Sequence, residues 1–207
     1  LKALAHEVEK NGVKFGLWFE PEMVSPDSEL YRKHPDWCIH APGRRRSLCR
    51  NQLTLDLSRG DVRQYIIKCL DDILSNVKIS YVKWDMNRHM SNLGSAMLPP
   101  ERQRELPHRY MLGLYEIMEE ITQKHPDVLF ESCSGGGGRF DAGMLYYMPQ
   151  IWTSDDTDPI ERLYIQYGTS LVYPVSAMGA HVSAIPNHQS GRKTPLATRG
   201  CVAMSGN

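Results

Sequence analysis

Tyr81-Val82-Lys83-Trp84-Asp85-Met86-Asn87-Arg88 reads as a short apolar strand that ends in a carboxylate. Alternate residues of a strand face opposite ways, so Lys83 and Asp85 share one face and Trp84 takes the other. Seventy positions later, Ile151-Trp152-Thr153-Ser154-Asp155-Asp156-Thr157-Asp158 repeats the pattern of strand followed by acid. Between them, Val128–Glu131 runs into Ser132-Cys133-Ser134-Gly135-Gly136-Gly137-Gly138-Arg139. Further strands are expected at Val13–Phe19, Leu53–Leu57 and Leu171–Val175. Helical stripes occupy Leu1–Lys10, Asp27–Lys33, Asp61–Leu74, Pro100–Lys124 (with a break near Pro107), Arg139–Tyr147, Pro159–Thr169 and Thr194–Met204.

Regular alternation of strand and helix predicts a parallel sheet. Polar residues collect just after the strands: Glu20 and Glu22, Asp85 and Asn87, Cys133, Asp155, His181. The C-terminal strand edge is where a βα barrel keeps its active site. An open doubly wound sheet uses the same edge, but at one switch point. Chemistry drawn from nearly every strand favours the barrel. The expected fold class is therefore α/β, a partial (β/α)8 barrel with about six of eight βα units present. With 207 residues, the chain falls short of the ~250 typical of a complete barrel. Residues 1–207 are accordingly expected to be the C-terminal portion of such a barrel, with the first two units upstream.

Twenty-four basic side chains balance 24 acidic ones, so no net field steers nucleic acid or an anionic membrane. No stretch approaches the ~18 apolar residues of a membrane span. Five cysteines, an odd number without a Cys-x-x-Cys, argue against a disulfide framework and point to the reducing cytoplasm. His181 and His188 lack the close pairing of a metal site, and neither a metal nor an organic cofactor is expected.

A carboxylate at a strand end can simply cap the next helix, but Lys83 beside Asp85 would hold it ionised, as a nucleophile requires. The Ser-Asp-Asp-Thr-Asp run at 154–158 also has two readings. It can cap the helix opened by Pro159, or its crowded acids can raise one pKa to suit a general acid. Two such carboxylates make a working pair for splitting a glycosidic bond. The glycine run lacks the Gly-Lys-Ser/Thr of a P-loop, and fits close backbone approach to a sugar hydroxyl better than a phosphate cradle. Cys133 reads as a small contact residue, and Trp18 as core or a flat face for a sugar ring. Arg50 precedes a strand and is a candidate hydrogen-bond donor to substrate; Arg44, Arg45 and Arg46 read as solvated.

Together Lys83–Arg88, Glu131–Asp141 and Trp152–Asp158 resemble the α-galactosidases of glycoside hydrolase family 36. Trp18-Phe19-Glu20-Pro21-Glu22-Met23 and Met178-Gly179-Ala180-His181-Val182-Ser183 match the same family in order. The resemblance implies a retaining mechanism with Asp85 as nucleophile and Asp155 as acid/base. It implies sugar contacts from Trp18, Arg50, Lys83, Asn87, Cys133 and Gly136. It further implies an oligosaccharide substrate, flanking N-terminal β-sandwich and C-terminal β domains, and a homo-oligomeric parent. Asp156 stands where some relatives have asparagine. Three alternatives stay open at this level. They are a relative acting on α-N-acetylgalactosamine, one transferring galactose to another sugar, and a catalytically inactive sugar-binding segment.

Overall fold

Apolar residues spaced about four apart build the first of two units, Leu1–Ser80 with Arg88–Val128. The computed structural model describes residues 1–206. In this unit, α1 spans Lys2–Lys10, β1 Gly16–Phe19, β2 Met23–Val24, α2 Glu29–Lys33 and β3 Leu53–Thr54. Two longer helices follow, α3 at Gly60–Asn76 and α4 at Leu106–Lys124. Helix α3 buries Val62, Ile66, Ile67, Leu70 and Leu74. Helix α4 buries Leu106, Tyr110, Leu114, Ile117, Met118 and Ile121, and the two helices pack together. Each such large side chain removed from water contributes about 1.5–3 kcal/mol. The break expected near Pro107 falls between Glu105 and Leu106: residues 100–105 form a 3-10 helix, and the proline sits in the first turn of α4, where its missing N–H costs nothing. Gly113 allows α4 to approach the loop before α3, since a Cβ there would fall 2.0 Å from the Leu57 carbonyl oxygen.

The second unit comprises Tyr81–Asn87 and the chain from Leu129 onward. Its strands are β4 (Tyr81–Trp84), β5 (Leu129–Ser132), β6 (Gln150–Trp152) and β7 (Met178–Gly179). They lie side by side in that order, all parallel. Helices α5 (Ala142–Tyr147) and α6 (Pro159–Ser170) connect β5 to β6 and β6 to β7, and α7 (Leu196–Ala203) follows. The register pairs Lys83 with Glu131 and Glu131 with Gln150, then Trp84 with Ser132 and Ser132 with Ile151. Since side chains alternate, Lys83, Glu131 and Gln150 share one face. Val82, Trp84, Phe130 and Ile151 share the other, where all four are buried. The mixed α/β class and its parallel sheet agree with the sequence pattern.

Two strands differ from that pattern. Leu53–Thr54 pairs antiparallel with Met23–Val24, and Cys38 bridges antiparallel to Leu55. The alternating apolar residues Leu53, Leu55 and Leu57 suit either kind of pairing, and here the segment forms a small ribbon. The strand expected at Leu171–Val175 is instead turn and 3-10 helix, and β7 forms at Met178–Gly179. Leu171, Val172 and Val175 are exposed, so their apolar composition marks no core element. Five strands, β1 and β4 to β7, are left for the βα series against the six expected.

Candidate active site

Asp85 follows β4 directly and is buried, with 6% exposure. Its Oδ1 accepts from the Met86 backbone N–H at 2.9 Å and its Oδ2 from Asn87 Nδ2 at 2.6 Å. Cys133, directly after β5, donates its thiol to the same carboxylate. Burial pushes that thiol up to about 12, and the Asp85 charge pushes it the same way. A thiol held so far from ionisation is no nucleophile at neutral pH. The Cys133 N–H donates to the Trp84 carbonyl at 2.8 Å, and the Met86 N–H to the Cys133 carbonyl at 3.2 Å. The ladder between β4 and β5 therefore extends past the strands and pins the backbone beside both Asp85 and Cys133.

Lys83 has a partner the sequence reading did not assign. Its Nζ lies 2.9 Å from Glu131 Oε1, outside hydrogen-bond alignment, and 4.7 Å from the centre of the Trp152 ring. Burial pushes the Glu131 carboxyl up to about 7; the adjacent ammonium works against that push by favouring the carboxylate. Glu131 is legible in sequence only as the residue two before Cys133, on the same face of its strand.

Three aspartates crowd the loop after β6, and each has its own task. Asp158 is the helix cap: its Oδ1 accepts from the N–H groups of Ile160 at 2.8 Å and Glu161 at 3.4 Å. It is fully buried, and Arg192 Nη1 donates to it at 2.6 Å. Burial raises its pKa, but the Ser190 hydroxyl, the two backbone N–H groups and Arg192 outweigh this and hold it below the usual carboxylate range. Crowding predicts that one of the three acids rises; Asp158 moves the other way. Asp156 accepts the Asp158 N–H at 2.9 Å and so closes the turn. Asp155 is exposed and takes no part in capping. Its Oδ1 accepts from the Trp152 indole N–H at 3.1 Å.

The glycine run after β5 packs against this loop. Gly136 has φ +85°, and a Cβ there would meet Asp155 N and Ser154 Cα at 2.8 Å each. Glycine at 136 is thus required by close backbone approach and by a left-handed backbone. His181 stacks on Trp152 with ring centres 4.5 Å apart and a 7° angle. Contact burial of its ring, then the charges of Arg162 and Lys83, lower its pKa, although the residue as a whole remains exposed.

In the first unit, Trp18 is half exposed on β1. Arg50 and Asn51 form a tight turn with φ 52° and 58°, closed by the pair of backbone bonds between Cys49 and Gln52. Arg50 Nη1 lies 3.4 Å from Glu20 Oε1. Arg46 is not simply solvated, since it donates to the Tyr31 hydroxyl and, at 2.7 Å, to the Pro35 carbonyl. Among the described residues no cluster of three His, Cys, Asp or Glu side chains is arranged to hold a metal, and no helix is long and apolar enough to cross a membrane. The arrangement after β4, β5 and β6 sets a rigidly held carboxylate and an exposed one on the same strand edge, two strands apart.

Comparison with known proteins points the same way. The family model described as Melibiase matches residues 1–207. The chain is 70% identical over 207 residues to alpha-galactosidase AgaA of Geobacillus stearothermophilus, covering all of this chain and 28% of that protein. It is 59% identical over 199 residues to alpha-galactosidase 1 of Pediococcus pentosaceus, covering 96% of this chain and 27% of the relative. The crystal structure of the Geobacillus enzyme, titled a GH36 alpha-galactosidase, superposes with a TM-score of 0.98 at 69% identity, over 100% of this chain and 29% of that one. Variants of that enzyme have been crystallised with raffinose and with stachyose. The chain thus spans little more than a quarter of the length of these relatives.

Proposed function

Because the chain belongs to the melibiase family, we propose that it carries both catalytic carboxylates of a retaining α-galactosidase. Asp85 attacks the anomeric carbon of a terminal α-galactosyl residue and forms an ester bond. The bond to the leaving oxygen breaks, and that oxygen takes its proton from Asp155. Asp155 then accepts a proton from water as the water attacks the galactosyl ester, which frees Asp85 and releases galactose. The substrates are α-1,6-galactosides of the melibiose and raffinose type.

One observation carries the reading: the two acids stand on one strand edge with a single strand, β5, between theirs. Two strand spacings amount to about 10 Å of backbone separation. Side chains reaching inward from both ends reduce this towards the about 5–5.5 Å of a retaining pair. The aspartates replaced in the raffinose and stachyose complexes of the Geobacillus enzyme are also seventy positions apart, which matches the interval between Asp85 and Asp155.

Lys83, Asn87, Cys133 and Gly136 flank Asp85 and Asp155 and are proposed sugar contacts. Trp18 and Arg50 are proposed on the family resemblance alone. The chain is read as part of a (β/α)8 barrel, on the strength of parallel strands with polar chemistry at their C-terminal ends. An odd number of cysteines without a Cys-x-x-Cys fits the cytoplasm, and the parent protein is read as a homo-oligomer with no need for a cofactor.

The test uses the full-length protein that contains this chain. It should hydrolyse an aryl α-galactoside with retention of anomeric configuration, seen by NMR of the first-formed galactose. Asp85→Ala should abolish turnover. An inverted product, or substantial activity in that variant, would remove the assignment.

A further inference from the structure

The indole of Trp152 is buried, yet its N–H points at the one acid in its loop that caps nothing. Arg162, near the start of α6, holds the same loop from below. Its Nε donates to the Asp156 carbonyl at 2.7 Å and its Nη2 to the Ser154 carbonyl at 2.6 Å, while Nη1 donates to the Thr153 hydroxyl. The guanidinium carbon also lies 4.2 Å from the centre of the Trp152 ring. One buried cation therefore binds the residues on both sides of Asp155 and also packs on the ring whose N–H binds Asp155 itself.

A cation near a helix N-terminus works against the helix dipole, and a buried guanidinium costs several kcal/mol unless its donors are satisfied. Capping does not explain this placement, because Asp158 already caps α6. The arrangement does accomplish one thing: it leaves the Asp155 carboxyl exposed while fixing its backbone on both sides and one of its oxygens.

We propose that Trp152 and Arg162 are positioning residues which aim the Asp155 carboxyl at the leaving-group oxygen. The inference rests on Asp155 being the acid/base. One carboxyl oxygen is engaged by the indole N–H, which leaves the other to exchange a proton with the departing sugar. Neither Trp152 nor Arg162 needs to touch substrate for this. A residue that merely supports the core would slow every substrate alike. A residue that aims the acid lowers kcat/KM only for those substrates whose leaving group needs a proton, because kcat/KM extends no further than formation of the galactosyl ester.

The experiment compares kcat/KM of the full-length protein for melibiose, a poor leaving group, and for a dinitrophenyl α-galactoside, which departs without protonation. Trp152→Phe removes the N–H and keeps an aromatic ring. It should lower kcat/KM for melibiose about tenfold, the scale of one lost hydrogen bond. The activated substrate should change less than about twofold. Arg162→Lys should show the same selectivity for poor leaving groups, and it serves if the Trp152 variant does not fold. Asp155→Ala is the reference and should show the largest such selectivity. A uniform loss in both positioning variants, or none, beside a selective Asp155→Ala overturns this inference alone. An unselective Asp155→Ala overturns the assignment of Asp155, and this inference with it.

Discussion

The two strand ends that carry the acids are built in opposite ways. After β4, Asp85 is buried and receives a backbone N–H, an amide and a thiol. After β6, Asp155 is exposed and its carboxyl receives the Trp152 indole N–H. A nucleophile gains from having its geometry settled before the substrate arrives, because orientation paid in folding is not paid again in the transition state. A group that gives a proton in one step and takes it in the next must meet both sugar and water, which full burial would prevent. The contrast is thus what the proposed roles require, and it can be attacked at several points.

The largest effect should separate the two acids by their response to azide. In the Asp155→Ala protein, turnover of an activated galactoside should fall by about 10²–10⁴, and azide should restore it by forming the galactosyl azide of retained configuration. In the Asp85→Ala protein, azide should give only the inverted product. The same product from both would erase the distinction, and NMR of the azides decides it.

Gly136→Ala should come next. The added methyl meets the Ser154 and Asp155 backbone at 2.8 Å in a left-handed conformation, so the loop carrying Asp155 must shift. A displacement near 1 Å costs on the order of 100-fold in rate, here in kcat more than in KM. Steady-state kinetics with unchanged parameters would show that the glycine run does not set the Asp155 position.

Asp158→Ala tests the helix on which the β6 loop rests. Loss of the cap should cost about 2 kcal/mol, read as a lower urea midpoint. The sign with pH follows from its lowered pKa. The native state binds that proton less readily than the unfolded chain does, so its contribution is present above the ordinary value of 3.8 and is lost as pH falls through it. The variant should therefore lose less stability than the native protein on acidification through this range.

Glu131→Gln should have the smallest effect and sharpen the comparison on the β4 side. Without the carboxylate, Lys83 loses its ion partner, and KM should rise several-fold, about 1 kcal/mol, with kcat little changed. Burial places the carboxyl at about 7 against an ordinary 4.5. The folded state then holds this proton more firmly than the unfolded chain, so stability declines as pH rises from about 4.5 to about 7. The glutamine variant should lack that decline in a melting-temperature series.

Much of this was legible beforehand at the level of element type. Helices α3, α4 and α6 matched their apolar spacing, and Pro159 marked a helix start because a proline suits the first turn. Leu53–Thr54 was legible as a strand but not as an antiparallel one, since a period-two apolar pattern does not encode the partner's direction. Leu171–Val175 failed for a related reason: an apolar run does not state whether anything covers it. Asp85 and Asp155 were found as acids at strand ends. Glu131 and Arg162 were missed, because their importance lies in what they touch across strands or across a turn.

The order of residues alone determined the alternation of elements, the edge of the sheet where polar residues collect, and the two acids at strand ends. These depend on local periodicity and on side-chain type, both of which are written along the chain. The division of labour among Asp155, Asp156 and Asp158, the need for glycine at 136, and the partner of Lys83 were decided only on folding. Each depends on distances between segments remote in the chain, and close packing rather than composition sets those distances.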